Sequence, residues 1–355
     1  MTAPQTLYYN THCYPPQTHF SKHVSLGDSD DMTTNYTSSA NNYIGVGISV
    51  SNMRAALVNT DGQVISRREA AIDRDAIAPQ IIRAIAELRD EAAQNIAAIG
   101  VGVPGLVDPN TERVFVSSDL PSIVRGDLHA ELIGATGINH ILLENDANAG
   151  AYGEFQVGAG RGSKDMFYVT IGAGIGGAII LDGKIWHGAS GFAGEFGHIT
   201  INTDGIECVC GNTGCLETVA SAPNIVRRTH ERLHRDGTSS LSRLALNREF
   251  TAADIAREAK NGDDFALMMI ERTGRYIGAA IANVINLLNI ERIVLGGGVM
   301  EAGDLILDAI IREAGRRSFQ PCFEATQIVI SQLSTDGVPI GAAMLARDAV
   351  HNVAG

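Results

Sequence analysis

Four side chains able to hold a soft metal fall close together: His198, Cys208, Cys210 and Cys215, in the order His, Cys-x-Cys, Cys. Thiolate and imidazole are the ligands zinc prefers, and four of them complete a tetrahedral site. Gly211 and Gly214 flank the turn, where ligands must approach a backbone without a Cβ in the way. The competing reading, inert buried cysteines beside an unrelated histidine, fits the Cys-x-Cys-Gly-x-x-Gly-Cys spacing less well. A site with four protein ligands leaves no position for water. The predicted zinc is therefore structural, about one per chain, and not a catalytic Lewis acid.

A second chemical signal is the run Gly172-Ala173-Gly174-Ile175-Gly176-Gly177, with Thr170 just before it. It matches the GxGxxG pattern, but a dinucleotide loop must open a helix. This one runs into Ala178–Leu181 and the turn Asp182-Gly183, which reads as a strand and a hairpin. That favours a glycine hairpin whose backbone amides face phosphate. It also removes a zinc- and nicotinamide-dependent dehydrogenase from consideration. A further glycine turn, Gly296-Gly297-Gly298, follows the apolar run Ile293-Val294-Leu295; with no ligand it is simply a strand-to-helix turn.

The elements that must position these groups can be read from periodicity. Tyr43–Ile48, Arg54–Asn59 and Gln63–Arg68 are short strands split by turn residues, an antiparallel meander. Ile77, Ile81, Ile82, Ile85 and Leu88 recur at helical spacing. Ile96–Val103, His140–Leu143, Met166–Ile171, Arg292–Leu295 and Gln327–Ser331 read as strands, residues 265–290 as a long buried helix, and 341–350 as a closing helix. A meander followed by alternating strands and helices predicts an α/β fold with mixed sheets in two lobes. The lobes are expected at 43–151, with the closing helix 341–355, and at 152–340. Residues 1–42, rich in Thr, Ser, Asn, Tyr and His and without apolar period, are expected to be a disordered or poorly packed extension, with Met32 a second candidate start. His12, Cys13, His19 and His23 lie in that stretch, too irregularly spaced for a metal site.

Composition narrows the function. The 355 residues are 45% hydrophobic and 19% charged, with a formal charge of −13. That acidic balance argues against a nucleic-acid surface. No apolar run reaches membrane-spanning length, and none near Met1 resembles a secretory signal, so a cytoplasmic protein is expected.

The residues Gly194-Glu195-Phe196-Gly197-His198, the segment Cys208 to Glu217, the run Leu143-Glu144-Asn145-Asp146-Ala147-Asn148-Ala149 and the 170–177 loop together resemble the ROK (repressor, open reading frame, kinase) family of sugar kinases and sugar-responsive regulators. The resemblance runs from about Tyr43 to the C-terminus. It implies an actin- and hexokinase-like (ribonuclease H-like) pair of lobes, with sugar and ATP in the cleft, Mg2+ as the nucleotide's metal, and a homodimer. It gives Asp146 the place of the general base, Asn145 that of a sugar-hydroxyl ligand, and Glu195, His198 and Glu217 those of the sugar contacts. His198 would serve zinc through its other ring nitrogen. Gly105, in Gly102-Val103-Pro104-Gly105, matches the sugar-side loop, and Thr170, Gly172, Gly174, Gly297 and Gly298 match the nucleotide side. The chemistry agrees: a carboxylate where a strand hands over to a helix can take the proton of an attacking hydroxyl. Asn, Glu and His side chains suit a ligand made of hydroxyls. The plain alternative for Asp146 is an N-cap of the helix beginning at Ala147.

The sequence departs from the family at several positions. Kinases of the family usually read Asp-x-Gly-Gly-Thr-Lys at the first phosphate hairpin, where this chain has Gly47-Ile48-Ser49-Val50-Ser51-Asn52. The acid, both glycines and the lysine are absent, and charged phosphate contacts carry orders of magnitude in rate. Arg54 is a candidate replacement for the lysine. Ala173 stands where many members have Thr, and Asp119-Leu120 where sugar-binding members usually have Asn-Leu. The leading expectation is an ATP-dependent kinase for a hexose or N-acetylhexosamine. The alternative is a sugar-binding sensor with weak or no kinase activity, acting through a protein partner, since residues 1–42 are too short for a winged helix-turn-helix.

Overall fold

The computed structural model describes residues 41–92, 95–117, 120–233 and 237–353. The expectations for residues 1–40 and for Asp119 lie outside them.

Strand β1 (Asn42–Ile48) is buried along nearly its whole length, so its apolar run requires cover on both faces. It pairs antiparallel with β2 (Asn52–Asn59), which pairs with β3 (Val64–Ala71). β3 alternates between half-buried and exposed positions and carries Arg67, Arg68 and Glu69, as an edge strand should. Helix α1 (Ile77–Glu91) leads to β4 (Ile96–Val103), parallel to β1. A small hairpin, β5 (Leu106–Asp108) and β6 (Arg113–Val116), and helices α2 (Ser122–Arg125) and α3 (Leu128–Thr136) intervene before β7 (Ile141–Asn145), parallel to β4. The sheet order is β3-β2-β1-β4-β7.

After α4 (Asp146–Val157) the same plan repeats with β8 (Met166–Ile171), β9 (Ile175–Leu181) and β10 (Lys184–Ile185). A segment with little regular structure follows, then α5 (Glu217–Ala220), α6 (Ala222–Leu233), α7 (Ser240–Ala245), α8 (Ala252–Lys260) and the long α9 (Asp264–Leu288). β11 (Arg292–Gly296), α10 (Asp304–Arg317), α11 (Gln320–Ala325), β12 (Gln327–Ile330) and α12 (Gly337–Val353) complete it. The second sheet, β10-β9-β8-β11-β12, is again an antiparallel meander continued by parallel strands. The expected α/β fold with mixed sheets is therefore what forms.

One apolar core lies between the first sheet, α1 and α3, and a second between the other sheet and the helices around α9. A third cluster, with Tyr43, Ala98, Tyr152, Met166, Ile180, Ile340 and Met344, fills the space where α4 and α12 pack against residues of both sheets. At the crossing of these helices a Cβ on Gly341 would fall 1.7 Å from the carbonyl oxygen of Ala149, so only glycine allows the contact. Helix α4 spans the division predicted at residue 151, and the closing helix begins at Gly337 rather than 341. No helix among the described residues is long and apolar enough to cross a membrane.

Candidate active site

β7 hands over to α4 through three polar residues, Glu144-Asn145-Asp146, at the end of the parallel part of the first sheet. Asn145, not Asp146, is the N-cap of α4: its Oδ1 accepts from the Asn148 amide at 3.0 Å. That corrects the plain alternative for Asp146, which is the first helical residue and whose Oδ1 accepts from the Ala147 amide at 2.9 Å. The Nδ2 of Asn145 donates to the Gly105 carbonyl at 2.9 Å, which joins the β4–β5 turn to the helix start. Gly105 has φ +116, and a Cβ there would meet the Val116 carbonyl oxygen at 2.1 Å.

The glycine run forms the β8–β9 hairpin, closed by a bond from the Gly172 amide to the Gly174 carbonyl at 2.8 Å. It does not open a helix, as the sequence predicted. Thr170 lies within β8, opposite Gly176 on β9 and Gly296 on β11. Gly297 (φ +89) abuts the backbone of Ile171, so the two glycine turns are neighbours. Gly298 opens the 3-10 turn after β11 and lines a cavity of about 220 Å³ with Ile225, Ala252, Ala256, Ile270 and Val299. Arg257, Lys260 and Glu301 also line it, with the Lys260 Nζ donating to the Glu301 carbonyl at 2.8 Å.

The remaining predicted groups gather on this hairpin. The 3-10 turn Phe196–His198 sits against Ile175: a Cβ on Gly197 would meet the Ile175 carbonyl oxygen at 2.2 Å. Glu217, the first residue of α5, accepts from the Ile175 amide through Oε2 at 2.8 Å. The first turn of α4 reaches the same strand, since a Cβ on Gly176 would lie 3.0 Å from the Ala147 Cβ. Asp146, Glu195, His198 and Glu217 thus come from elements that converge on Ile175–Gly177. The Glu195 carboxylate is 3.9 Å from His198 Nε2. Although 49% of its side chain is open to solvent, partial burial pushes its carboxyl up, opposed by His198 and reinforced by the Glu217 charge.

The ligand atoms of His198, Cys208, Cys210 and Cys215 all lie within 4.8 Å of one another. The Nδ1 of His198 is 3.6 Å from the Cys208 Sγ, and the Cys210 and Cys215 sulfurs are 3.7 Å apart. A tetrahedral zinc with ordinary Zn–S and Zn–N bonds has ligand–ligand edges of roughly 3.5–3.8 Å. The donor set and its spacing therefore fit zinc. Burial pushes the Cys208 thiol up and the Cys215 thiol up to about 12, while the Asn212 amide lowers that of Cys210. A bound cation would overturn these preferences by holding the thiolates directly.

The first hairpin turns through Ser49–Ser51, where the Ser49 amide donates to the Asn52 carbonyl at 2.8 Å and Ser49 Oγ does so at 2.9 Å. Arg54, the candidate lysine replacement, is engaged on the sheet: its Nη2 bonds the Glu69 carboxylate on β3 at 2.7 Å. Sequence reasoning missed Glu144 and His187 as site residues. Glu144 is buried, and its Oε2 pairs with His187 Nε2 at 2.7 Å. The only signal in the sequence was a charged residue ending an apolar strand.

The sequence profile of the ROK family matches residues 43–349. The glucokinase of Halalkalibacterium halodurans is 34% identical over 324 residues, covering 86% of this chain and 94% of that protein. The glucokinase of Thermotoga maritima is 33% identical, covering 86% and 98%. Among solved structures, a ROK family glucokinase from Streptomyces griseus in complex with glucose and AMPPNP superposes with a TM-score of 0.78 at 30% identity, covering 87% of this chain and all of that one.

Proposed function

The chain belongs to the ROK family, and from that premise we propose that it is an ATP-dependent sugar kinase of the glucokinase type, with Asp146 as general base. One observation carries the reading. The hairpin Gly172–Gly177, suited to phosphate, is bonded at Ile175 to the carboxylate of Glu217 and packed at Gly176 against the helix turn that bears Asp146. A sugar hydroxyl, a proton acceptor and the backbone amides of a phosphate loop can meet there.

In this mechanism Asn145, Glu195, His198 and Glu217 bind the sugar's hydroxyls and fix the one that attacks. Asp146 takes the proton of that hydroxyl as it bonds to phosphorus, and the amides of the glycine hairpin hold the phosphates in line. The cavity beside Gly298 is assigned to the adenosine end of the nucleotide. Magnesium bound with ATP would supply neutralisation of the phosphate charge. Without the family's acid and lysine at Ser49–Asn52, phosphate stabilisation rests more heavily on the second hairpin, so a low turnover with a high ATP KM is expected. Zinc on His198, Cys208, Cys210 and Cys215 would keep the imidazole's Nε2 turned toward Glu195 and the sugar. Thiolate ligands suit a reducing compartment, so we assign the protein to the cytoplasm.

The test is ADP release measured across glucose, mannose, N-acetylglucosamine, N-acetylmannosamine and fructose, with Asp146→Asn as control. Removal of a general base is expected to lower kcat by about 10²–10⁴-fold while sugar binding persists. Turnover that Asp146→Asn leaves untouched would refute the assigned base. Sugar binding by calorimetry, with no ADP from any sugar, would turn the reading to the sensor.

A further inference from the structure

Glu144 is 6% exposed and uses both carboxylate oxygens. Oε1 accepts from the Asn145 amide at 2.8 Å and from Asn148 Nδ2 at 2.9 Å, which grips the start of α4 from inside. Oε2 meets His187 Nε2 at 2.7 Å. His187 follows β10, and its carbonyl accepts from the Ala193 amide at 2.9 Å, closing the turn that leads into Glu195 and His198. One carboxylate thus ties the corner holding Asn145 and Asp146 to the loop holding the other sugar-side groups. These two segments are joined along the chain only through the rest of α4, β8, β9 and β10.

We infer that Glu144 and His187 are positioning residues: a buried strut that fixes the distance between the base-bearing corner of α4 and the Glu195–His198 loop. The inference rests on the sugar-kinase reading for its consequence in catalysis. Neither residue is assigned a contact with sugar or phosphate. The strut acts through Asn145 and Asp146 on one side and through Glu195 and His198 on the other. A buried carboxylate is held ionised only where hydrogen bonds or a cation compensate its lost hydration. The imidazole and the two N–H donors supply that compensation here. Without the imidazole, Oε2 of Glu144 loses its partner and must draw in water, and that change moves the α4 corner.

The experiment compares His187→Ala with His187→Gln, whose amide can still donate to Glu144. Kinetics with glucose and ATP are read beside thermal melts. Misplacement of a reacting group by about 1 Å costs on the order of 10²-fold. For His187→Ala, kcat should therefore fall by roughly that factor, while the ATP KM stays within about threefold and His187→Gln recovers most of the loss. A folded His187→Ala enzyme with wild-type kcat and only a lowered melting point would overturn the inference. If His187→Ala does not fold, His187→Leu, close in size but unable to donate to Glu144, decides it: a folded His187→Leu enzyme with wild-type kinetics rejects the strut. Wild-type protein that releases no ADP from any sugar counts against the kinase reading instead. The strut is then judged by hydrogen exchange without ligand. Faster exchange of the Asn148 and Ala193 amides in the variants supports it, and unchanged exchange rejects it.

Discussion

Gly174 and Glu217 show how one atom serves binding and folding together. Gly174 is not in the left-handed backbone region, so alanine can adopt its conformation. Its Cβ would nevertheless stand 2.8 Å from Glu217 Oε2, the atom that receives the Ile175 amide. A carboxylate at the end of a flexible side chain can move aside, so Gly174→Ala should fold, at a melting point lowered by the loss of that bond. The displaced carboxylate loses a charge-assisted hydrogen bond of about 1.5–3 kcal/mol, and the sugar KM should rise roughly tenfold or more. Steady-state kinetics with a melt in parallel check this; an unchanged sugar KM would detach Glu217 from the sugar. His187 gives a pH prediction at the same scale. Its hydrogen bond to Glu144 raises the imidazole pKa above the ordinary 6.5. A raised folded pKa means that the pair's stabilisation is fully present below about pH 6.5 and is lost as pH climbs through the folded value. Melting points taken from pH 6 to 9 should therefore fall more steeply for wild type than for His187→Gln. Equal slopes would show that the pair contributes nothing in that window.

Among the elements, the stretch from Ile199 to Leu216 is held by packing mainly at its ends, where Ile199, Ile201 and Leu216 meet the core. Its pairing consists of two isolated bridges, Thr200 with Cys215 and Glu207 with Thr213. Its apolar residues Ile206 and Val209 are 47% and 86% exposed. A segment so poor in burial needs another source of order, and a four-ligand metal would provide it, because the site does not exist in the unfolded chain and the metal's binding free energy then becomes folding free energy. Elemental analysis should find about one zinc per chain. Stripping it should free the segment, raise the sugar Kd at least tenfold and leave the far helices intact by circular dichroism. Pure protein with no metal and full sugar affinity would dismiss the zinc. This element also marks what a sequence can disclose. His198, Cys208, Cys210 and Cys215 are close along the chain, so ligand chemistry was visible in their spacing, as was the hairpin reading of Gly172–Gly177 from the strand that follows it. The Glu144–His187 pair was not visible, since 43 positions separate its members and only the fold brings them together. Arg54 is a similar case: its proximity to the first hairpin was plain, whereas its partner Glu69 depends on the β2–β3 register. Helices α3, α6, α8 and α10 carry mixed surfaces whose periodicity was not read, and they lie outside the motif-bearing segments.

At the scale of the whole described region, the two sheets share one repeated plan, and α4 and α12 supply the apolar cluster packed against both. Their approach is set by backbone atoms. A Cβ on Gly341 would lie 1.7 Å from the Ala149 carbonyl oxygen and 2.6 Å from the Gly153 amide nitrogen, neither of which can rotate away. Gly341→Ala must therefore push the helices apart and open the third cluster, a case of overpacking that costs about 3 kcal/mol when the clash is with backbone. Because α4 begins at Asp146, the same displacement should reach the proposed base, and kcat should fall along with the denaturation midpoint. Gly134→Ala is the matched control. That glycine lies within α3 with no atom near its would-be Cβ, so alanine should stabilise by about 0.5–1 kcal/mol through helix propensity and leave kcat alone. If urea melts of the two variants moved in the same direction, the crossing of α4 and α12 would not be the contact that holds the sheets together.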